Sequence, residues 1–521
     1  MKQARRIFWN AMLLTVAALL MRTVGVAFQV RVSNLAGAET MGLYSLMSGV
    51  YGFALTLGTS GIHLGVTRVV AETVSRGGRD RVGTVMKKAA LYAGGCGTLA
   101  ALLLLCFAEP IGIVWLRDAR TVASLRLFAI SLPPISLSSV FGGYFTAVKR
   151  PYCNAVTQVL EQGARIFFTM HLFATVGEKS AERMLCSLVF GGVLSEVLSF
   201  AAELLLFLID RYRHFPKKPS SKGRGEGRQL LQITLPMAFT AYLRSGLITL
   251  QHILIPEGLR KNGRSHAHAL MAYGSIHSMA LPIILYPSAL ISSFSGLLIP
   301  TLAECRVTDS KKRICYMISR VWSLSMLFSV AVAGILICFS SEFADLLYPN
   351  TETGKYIRIL APLIPIMYLD TATDAMLKGL GEQLYSMKIN ILDALISVIL
   401  VWILVPIYGI KGYLITVYFS ECFNTVCSIS RLLGVSGTTV RLLKWVYKPL
   451  ISIVLATSLM RWILTSFASG VPLTAIGLTL YCFGTLGLYL LLLLLLRSIS
   501  REDLDWLGTI LFPSERPTSN H

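Results

Sequence analysis

The sequence predicts an all-α membrane protein that crosses the bilayer about fourteen times. Of its 521 residues, 54% are hydrophobic and only 14% charged, against about 25% charged in ordinary soluble domains. The mean hydropathy is +0.64. The apolar residues recur from Ile7 to Leu496 in blocks of about the 20 residues that one membrane helix needs. This composition argues against a soluble enzyme. The net charge of +21 does not point to nucleic acid, because the basic residues sit between the blocks, where membrane topology accounts for them.

Closing each apolar window at charge clusters or Gly/Pro breaks places spans at 8–32, 42–64, 83–107, 122–147, 153–176, 184–209 and 230–255, then at 271–299, 315–339, 357–377, 385–408, 412–430, 446–467 and 472–496. The first follows Lys2, Arg5 and Arg6 like a secretion signal, but Arg22 interrupts it and no small-residue cleavage site follows, so it reads as a retained span. With both termini cytoplasmic, the cytoplasmic segments and adjoining span ends hold 31 Lys/Arg and the external ones 12. That is the asymmetry expected of an inner-membrane protein. Five more lie deep in spans: Arg22, Arg165, Arg244, Arg320 and Arg461. The ten cysteines are scattered singly and read as reduced packing thiols rather than a disulfide framework.

The most polar stretch, residues 211–228 (RYRHFPKKPSSKGRGEGR), cannot bury enough apolar surface to fold alone. It reads as a cytoplasmic linker between an N-terminal six-helix lobe (1–210) and a C-terminal one (229–432), with two further spans and a cytoplasmic tail over 433–521. Internal similarity supports the division. Leu20-Met21-Arg22-Thr23 parallels Tyr242-Leu243-Arg244-Ser245. Val70-Ala71-Glu72 parallels Leu302-Ala303-Glu304, and the fourth-to-fifth connection from Gly142 parallels the tenth-to-eleventh from Lys378. Six helices per repeat make the two repeats parallel.

An arginine deep in hydrocarbon is costly and normally faces a cavity or a partner. Arg22 and Arg244 therefore read as cavity residues for an anionic group, the alternative being a structural ion pair or snorkelling to the interface. Glu161 and Arg165, four apart, share a helix face and read as a mutually neutralising pair or, second, as lining of the substrate cavity. Glu196 shares a face with Glu203, for a cation or a distant basic residue. His252 is a candidate pH-sensitive or hydrogen-bonded group, with His277 on the next helix. Asp374, Asn390, Asp393 and Glu421, accompanied by Asp370 and Asn424, offer oxygen ligands suited to a hard cation and form a candidate sodium or proton coupling site. No phosphate-loop, H-E-x-x-H, C-x-x-C or G-x-S-x-G motif occurs, so ATP hydrolysis, a metalloprotease, a redox site and a serine hydrolase have no motif support. No cofactor is expected beyond Na+ or H+.

Gly37-Ala38-Glu39-Thr40-Met41-Gly42-Leu43-Tyr44, Val50-Tyr51-Gly52-Phe53, Ser60-Gly61-Ile62 through Arg68 to Ala71-Glu72, Leu235-Pro236 with Leu243-Arg244-Ser245, Met279-Ala280-Leu281-Pro282 and Lys378-Gly379-Leu380-Gly381-Glu382-Gln383 carry a resemblance. They resemble the polysaccharide-transporter branch of the multidrug/oligosaccharidyl-lipid/polysaccharide flippase superfamily, in particular its stage V sporulation protein B-like group. The resemblance covers roughly residues 5–500. It implies two lobes around a central cavity, alternating access, and movement of an undecaprenyl-linked saccharide such as a peptidoglycan precursor across the cytoplasmic membrane. Membrane lipids, and cell-wall or sporulation machinery, are the partners it implies. Of the cavity arginines of related lipid II flippases only Arg22 matches; Phe28 and Gln29 stand where an arginine and an aspartate would follow. The alternative readings are a cation-coupled drug antiporter of the same fold and a non-transporting scaffold in cell-wall or spore assembly.

Overall fold

The computed structural model describes residues 2–76, 81–175, 180–214, 226–308, 310–349, 352–438, 443–467, 474–496 and 498. Most of the basic linker, residues 215–225, and the tail beyond 498 lie outside the described residues. The described chain is helical with no strand: α1 Lys2–Thr59, α2 Ile62–Ser75, α3 Val82–Pro110, α4 Thr121–Ala147, α5 Pro151–Thr175, α6 Ala181–His214, α7 Glu226–Lys261, α8 His266–Gly274, α9 Leu281–Leu285, α10 Ser288–Val307, α11 Lys311–Cys338, α12 Ser340–Leu347, α13 Thr353–Leu360, α14 Ile364–Gly379, α15 Gln383–Tyr408, α16 Ile410–Ser436, α17 Lys448–Phe467 and α18 Ala475–Leu495.

Each expected span maps onto this order, and nine helices among the described residues are long and apolar enough to cross a membrane. Those outside the nine include the spans expected at 153–176, 357–377 and 412–430. They carry Glu161 and Arg165, Asp370 and Asp374, and Glu421, the ionisable groups that lower their hydropathy. Two boundaries depart from expectation. The first two spans run into one another through Gly37, whose φ of 80° glycine adopts without a Cβ penalty. The span expected at 271–299 is broken twice, by a π-helical turn at Ser275–Ala280 and by an interruption at Tyr286–Pro287.

The helices pack into two units, each discontinuous in sequence. One comprises the described residues 27–278 and 394–416. Its core is built by α2, α3, α4 and α6 around Val66, Val70, Val85, Ala89, Phe141 and Phe207, with the Phe141 and Phe207 ring centroids 5.1 Å apart. In this unit α1 and α8 approach closely enough to exclude side chains. A Cβ on Gly274 would lie 2.6 Å from the Gly42 nitrogen, and one on Gly42 would strike the Leu270 carbonyl. Small residues permit this backbone approach between membrane helices.

The other unit comprises the described residues up to 26, 279–393 and from 417 onward. α11 packs against α14 and α17, and α17 against α18. Met326, Val330, Ile453, Ala456, Tyr489 and Leu493 form its core. The Trp322 indole N–H donates to the Thr373 hydroxyl at 3.0 Å, which satisfies a polar atom that burial would otherwise leave costly.

The internal repeat is visible inside the units as one turn built twice. At the end of α4 the N–H groups of Val148, Lys149 and Arg150 donate to the carbonyls of Tyr144, Thr146 and Phe145 at 3.0, 3.2 and 2.8 Å. At the end of α14 those of Leu380, Gly381 and Glu382 donate to Met376, Lys378 and Leu377 at 2.9, 3.1 and 2.8 Å. Lys149 and Gly381, with φ of 60° and 73°, are the left-handed residues of these helix caps. Equivalent positions are thus 232 apart (149 to 381). The same spacing aligns Glu72 with Glu304, whose carbonyls accept from Arg76 and Thr308, each at 3.1 Å, and Gly42 with Gly274. Arg22 and Arg244 are 222 apart, so their equivalence requires ten extra residues in the second repeat before α8.

Candidate functional site

In the unit containing residues 27–278, α5 places Glu161 and Arg165 one turn apart on one face, and α6 brings Glu196 alongside. The Arg165 guanidinium lies 2.9 Å from Glu161 and 3.6 Å from Glu196. α1 supplies Tyr51, whose hydroxyl reaches Ser131 at 2.8 Å and Glu196 at 3.3 Å, while its ring stacks on Phe128 at 4.2 Å. Two carboxylates are thus held by one guanidinium and one phenol. The Arg165 Nε is buried with no hydrogen-bond partner, leaving one donor of the network uncommitted. Glu203, which shares the Glu196 face, turns to Thr157 at 3.2 Å instead.

His252 belongs to a second cluster of the same unit. Its Nδ1 and the Tyr273 hydroxyl are 2.5 Å apart. The His277 Nε2, carried by the π-helical turn, pairs with the Tyr413 hydroxyl at 2.7 Å, and the two imidazole centroids lie 5.0 Å apart. This cluster lines a cavity of about 350 Å³ with Gln29, Tyr44, Ser45 and Ser278. Gln29 donates to the Ser278 carbonyl at 2.9 Å.

The two arginines differ. Arg22 donates through Nη2 to the Leu285 carbonyl at 2.7 Å. The interruption at Tyr286–Pro287 frees that carbonyl, since Pro287 ends the regular ladder, and the Ser288 hydroxyl also donates to it at 2.6 Å. One arm of the Arg22 fork therefore caps a broken helix while the remainder stays available. Arg244, on α7, is exposed and forms no hydrogen bond or ion pair with the described residues.

The coupling candidates collect in the unit holding residues 279–393. The Ser386 hydroxyl donates to Asp374, and the Asn390 amide donates to the Ser386 carbonyl at 2.9 Å. Asn424 on α16 reaches Asn390 at 3.4 Å. Asp374 is paired with Lys378 at 2.6 Å, and Asp393 accepts from Ser420 at 2.7 Å. Glu421 feels the charges of Asp370 and Asp393, and Asp370 Oδ1 is buried without a hydrogen-bond partner. No group of three His, Cys, Asp or Glu among the described residues has the spacing of a metal cage. The oxygens and amides present suit a monovalent cation or proton better than a transition metal. Tyr51, Ser131, Ser386, Lys378, Tyr413 and Ser420 were not expected at these networks. A serine, threonine or tyrosine in a membrane helix gives no sequence signal of its own.

Residues 7–306 match the family described as polysaccharide biosynthesis protein. The chain belongs to that family. Residues 268–403 also match the MatE family. Stage V sporulation protein B of Bacillus subtilis (strain 168) is 23% identical over 515 residues, covering 96% of this chain and 98% of that protein. Lipid II flippase MurJ of the same organism is 21% identical over 499 residues, covering 88% of each. Among solved structures, lipid II flippase MurJ in an inward closed conformation superposes with a TM-score of 0.70 at 12% identity, covering 92% of this chain and 98% of that one. An inward-facing multidrug resistance MATE family transporter of the MOP superfamily gives 0.65 at 15% identity, covering 82% and 99%. The protein thus has the fold of the multidrug/oligosaccharidyl-lipid/polysaccharide transporters and is a multi-pass membrane protein. Within this polysaccharide biosynthesis protein, the described residues include one network of carboxylates around Arg165 and one dominated by carboxylates.

Proposed function

We propose that the protein is a flippase that carries an undecaprenyl-(pyro)phosphate-linked saccharide, a peptidoglycan precursor or related unit, across the cytoplasmic membrane by alternating access. Both termini face the cytoplasm, residues 1–210 and 229–432 act as the working lobes, and 433–521 is an addition to them. The observation that carries this reading is the end-to-end similarity to stage V sporulation protein B and MurJ, joined to guanidiniums within otherwise apolar helices. A pyrophosphate cannot cross about 30 Å of hydrocarbon unaided, and guanidinium forks suit phosphate oxygens. Arg22 and Arg244 hold the pyrophosphate. Glu161, Arg165, Glu196 and His252 supply the polar lining that replaces water around the sugar. Asp374, Asn390, Asp393 and Glu421 bind the coupling cation, Na+ or H+, whose gradient or the membrane potential drives the cycle. No covalent step is required, and the saccharide enters an envelope or spore-wall assembly process.

The test is translocation of a fluorescent undecaprenyl-pyrophosphate saccharide in liposomes under an imposed sodium gradient or membrane potential. Wild-type protein moves it, and Arg22→Ala and Arg244→Ala abolish movement while the purified variants stay monodisperse. Movement that survives both substitutions removes the arginines from the site. Efflux of cationic dyes with no saccharide movement reassigns the protein to drug antiport.

A further inference from the structure

A cavity of about 730 Å³ is lined by none of these residues, and its volume falls in the range of ligand pockets. α11, α17 and the segment from Arg358 to Pro365 enclose it. Its floor is apolar: Val330, Ala333 and Ile453 are buried, and α17 and α11 touch there so closely that a Cβ on Gly334 would strike Ile453. Its outer lip is also apolar, with Leu450, Val454 and Trp462 49%, 54% and 63% exposed, so the cavity opens sideways towards hydrocarbon.

One end is charged. Arg461 pairs with Glu342 and donates to the Cys338 carbonyl at 3.4 Å. Arg358 is exposed and forms no ion pair with the described residues. Two guanidiniums against one carboxylate leave this end with a net positive charge, beside the hydroxyls of Ser341 and Thr465. Trp462 lies at the same end, as aromatic residues do at a membrane–water interface. Along α17 the lining runs from Arg461 back to Leu450, about 17 Å at 1.5 Å per residue. That exceeds half of a hydrocarbon core about 30 Å thick, enough to lay one acyl chain in the groove while its phosphate stays at the arginines.

We propose that this cavity is a binding site for an anionic phospholipid, its phosphate held by Arg358 and Arg461 and one acyl chain lying along α17. The inference does not depend on the transported substrate, because none of its residues belongs to the proposed transport networks. In this site the lipid fills the gap between α17 and α11 and fixes the added C-terminal pair to the unit that carries the acidic network.

The test uses the full chain in nanodiscs with brominated phosphatidylglycerol or brominated phosphatidylcholine, reading the tryptophan quenching that disappears in Trp462→Phe. The expected result is quenching at a several-fold lower mole fraction of the anionic lipid, lost in Arg358→Gln and in Arg358→Gln/Arg461→Gln and kept in Arg461→Lys. Arg358 forms no ion pair with the described residues, so its variant is expected to leave folding undisturbed even where Arg461→Gln exposes Glu342. Equal quenching by the two lipids, or a preference that survives the double substitution, overturns the proposal. So does displacement of phosphatidylglycerol by undecaprenyl phosphate at equal mole fraction, which would make the groove a polyprenyl site.

Discussion

Glu161 on α5 and Asp393 on α15 are 232 residues apart and hold the same place in the two repeats, yet their surroundings are electrostatically opposite. Four residues after Glu161 comes Arg165, which lies against Glu161 and Glu196. Four residues after Asp393 comes Ser397, buried at 2% exposure with its hydroxyl unpartnered. The first network carries its own counter-charge. The second holds Asp370, Asp374, Asp393 and Glu421, with Lys378 paired with Asp374 at its edge. Burial in a membrane disfavours ionised carboxylates. The difference teaches that the same place in the two repeats holds a guanidinium between carboxylates in one and a hydroxyl in the other.

The largest expected effect tests the self-neutralised side. Arg165→Ala leaves two half-buried carboxylates facing one another and is expected to cost about 3 kcal/mol, read as a drop in thermal midpoint; Arg165→Ala/Glu196→Gln should recover part of it. An unchanged midpoint in the single variant breaks the comparison. On the other side, sodium should raise the midpoint over choline at equal ionic strength, by up to about 2.7 kcal/mol when the ion is in hundredfold excess over its dissociation constant. Asp393→Asn should abolish the shift. So should Ser397→Arg, which transplants the first repeat's counter-charge, and a sodium shift that persists in Ser397→Arg sinks the idea.

The duplicated turn offers a smaller contrast. Gly381→Ala forces a side chain into a left-handed conformation and should destabilise by about 1 kcal/mol, whereas Lys149→Gly removes that strain and should be neutral or slightly stabilising. Equal losses from both would show that the turns are not equivalent. The smallest effect is an acid one, in the loop after α3. Burial raises the Asp118 carboxyl, but the Arg120 guanidinium at 2.6 Å and the Arg120 N–H at 3.0 Å outweigh it and hold it below the usual carboxylate range. Arg120 also reaches Glu39 at 2.9 Å. Because the folded state lowers this proton affinity, its contribution is full above about pH 4, the ordinary aspartate value, and is lost as pH falls below it. Asp118→Asn should show no such acid-dependent loss in an unfolding titration.

The spans were legible because twenty apolar residues in a row admit few other readings. The breaks at Ser275–Ala280 and Tyr286–Pro287 were not, since an apolar window averages over them. For the same reason Arg22 could be singled out but its partner could not, because a freed main-chain carbonyl has no letter in the sequence. The pair Glu161 and Arg165 was readable from spacing along one helix. Its closure by Glu196 from α6 and Tyr51 from α1 depends on packing between helices, which spacing does not encode. Asp374 and Asn390 were read as members of one candidate cation site, while the Ser386 that joins them looked like any other serine in a span. Of the matching words only Val70-Ala71-Glu72 with Leu302-Ala303-Glu304 carries the 232-residue offset, and the main-chain hydrogen bonds were needed to single it out as the register.

The twin turns at residues 144–154 and 376–386 share those hydrogen bonds, yet not one of the eleven paired residues is the same. Arg150 even faces its opposite in Glu382. Main-chain bonds are indifferent to which side chains they carry, so a repeat shows in the backbone where the letters of its two copies differ. Within this one polypeptide the two copies are a completed mutagenesis experiment: eleven consecutive replacements, including a reversal of charge, with the same turn intact.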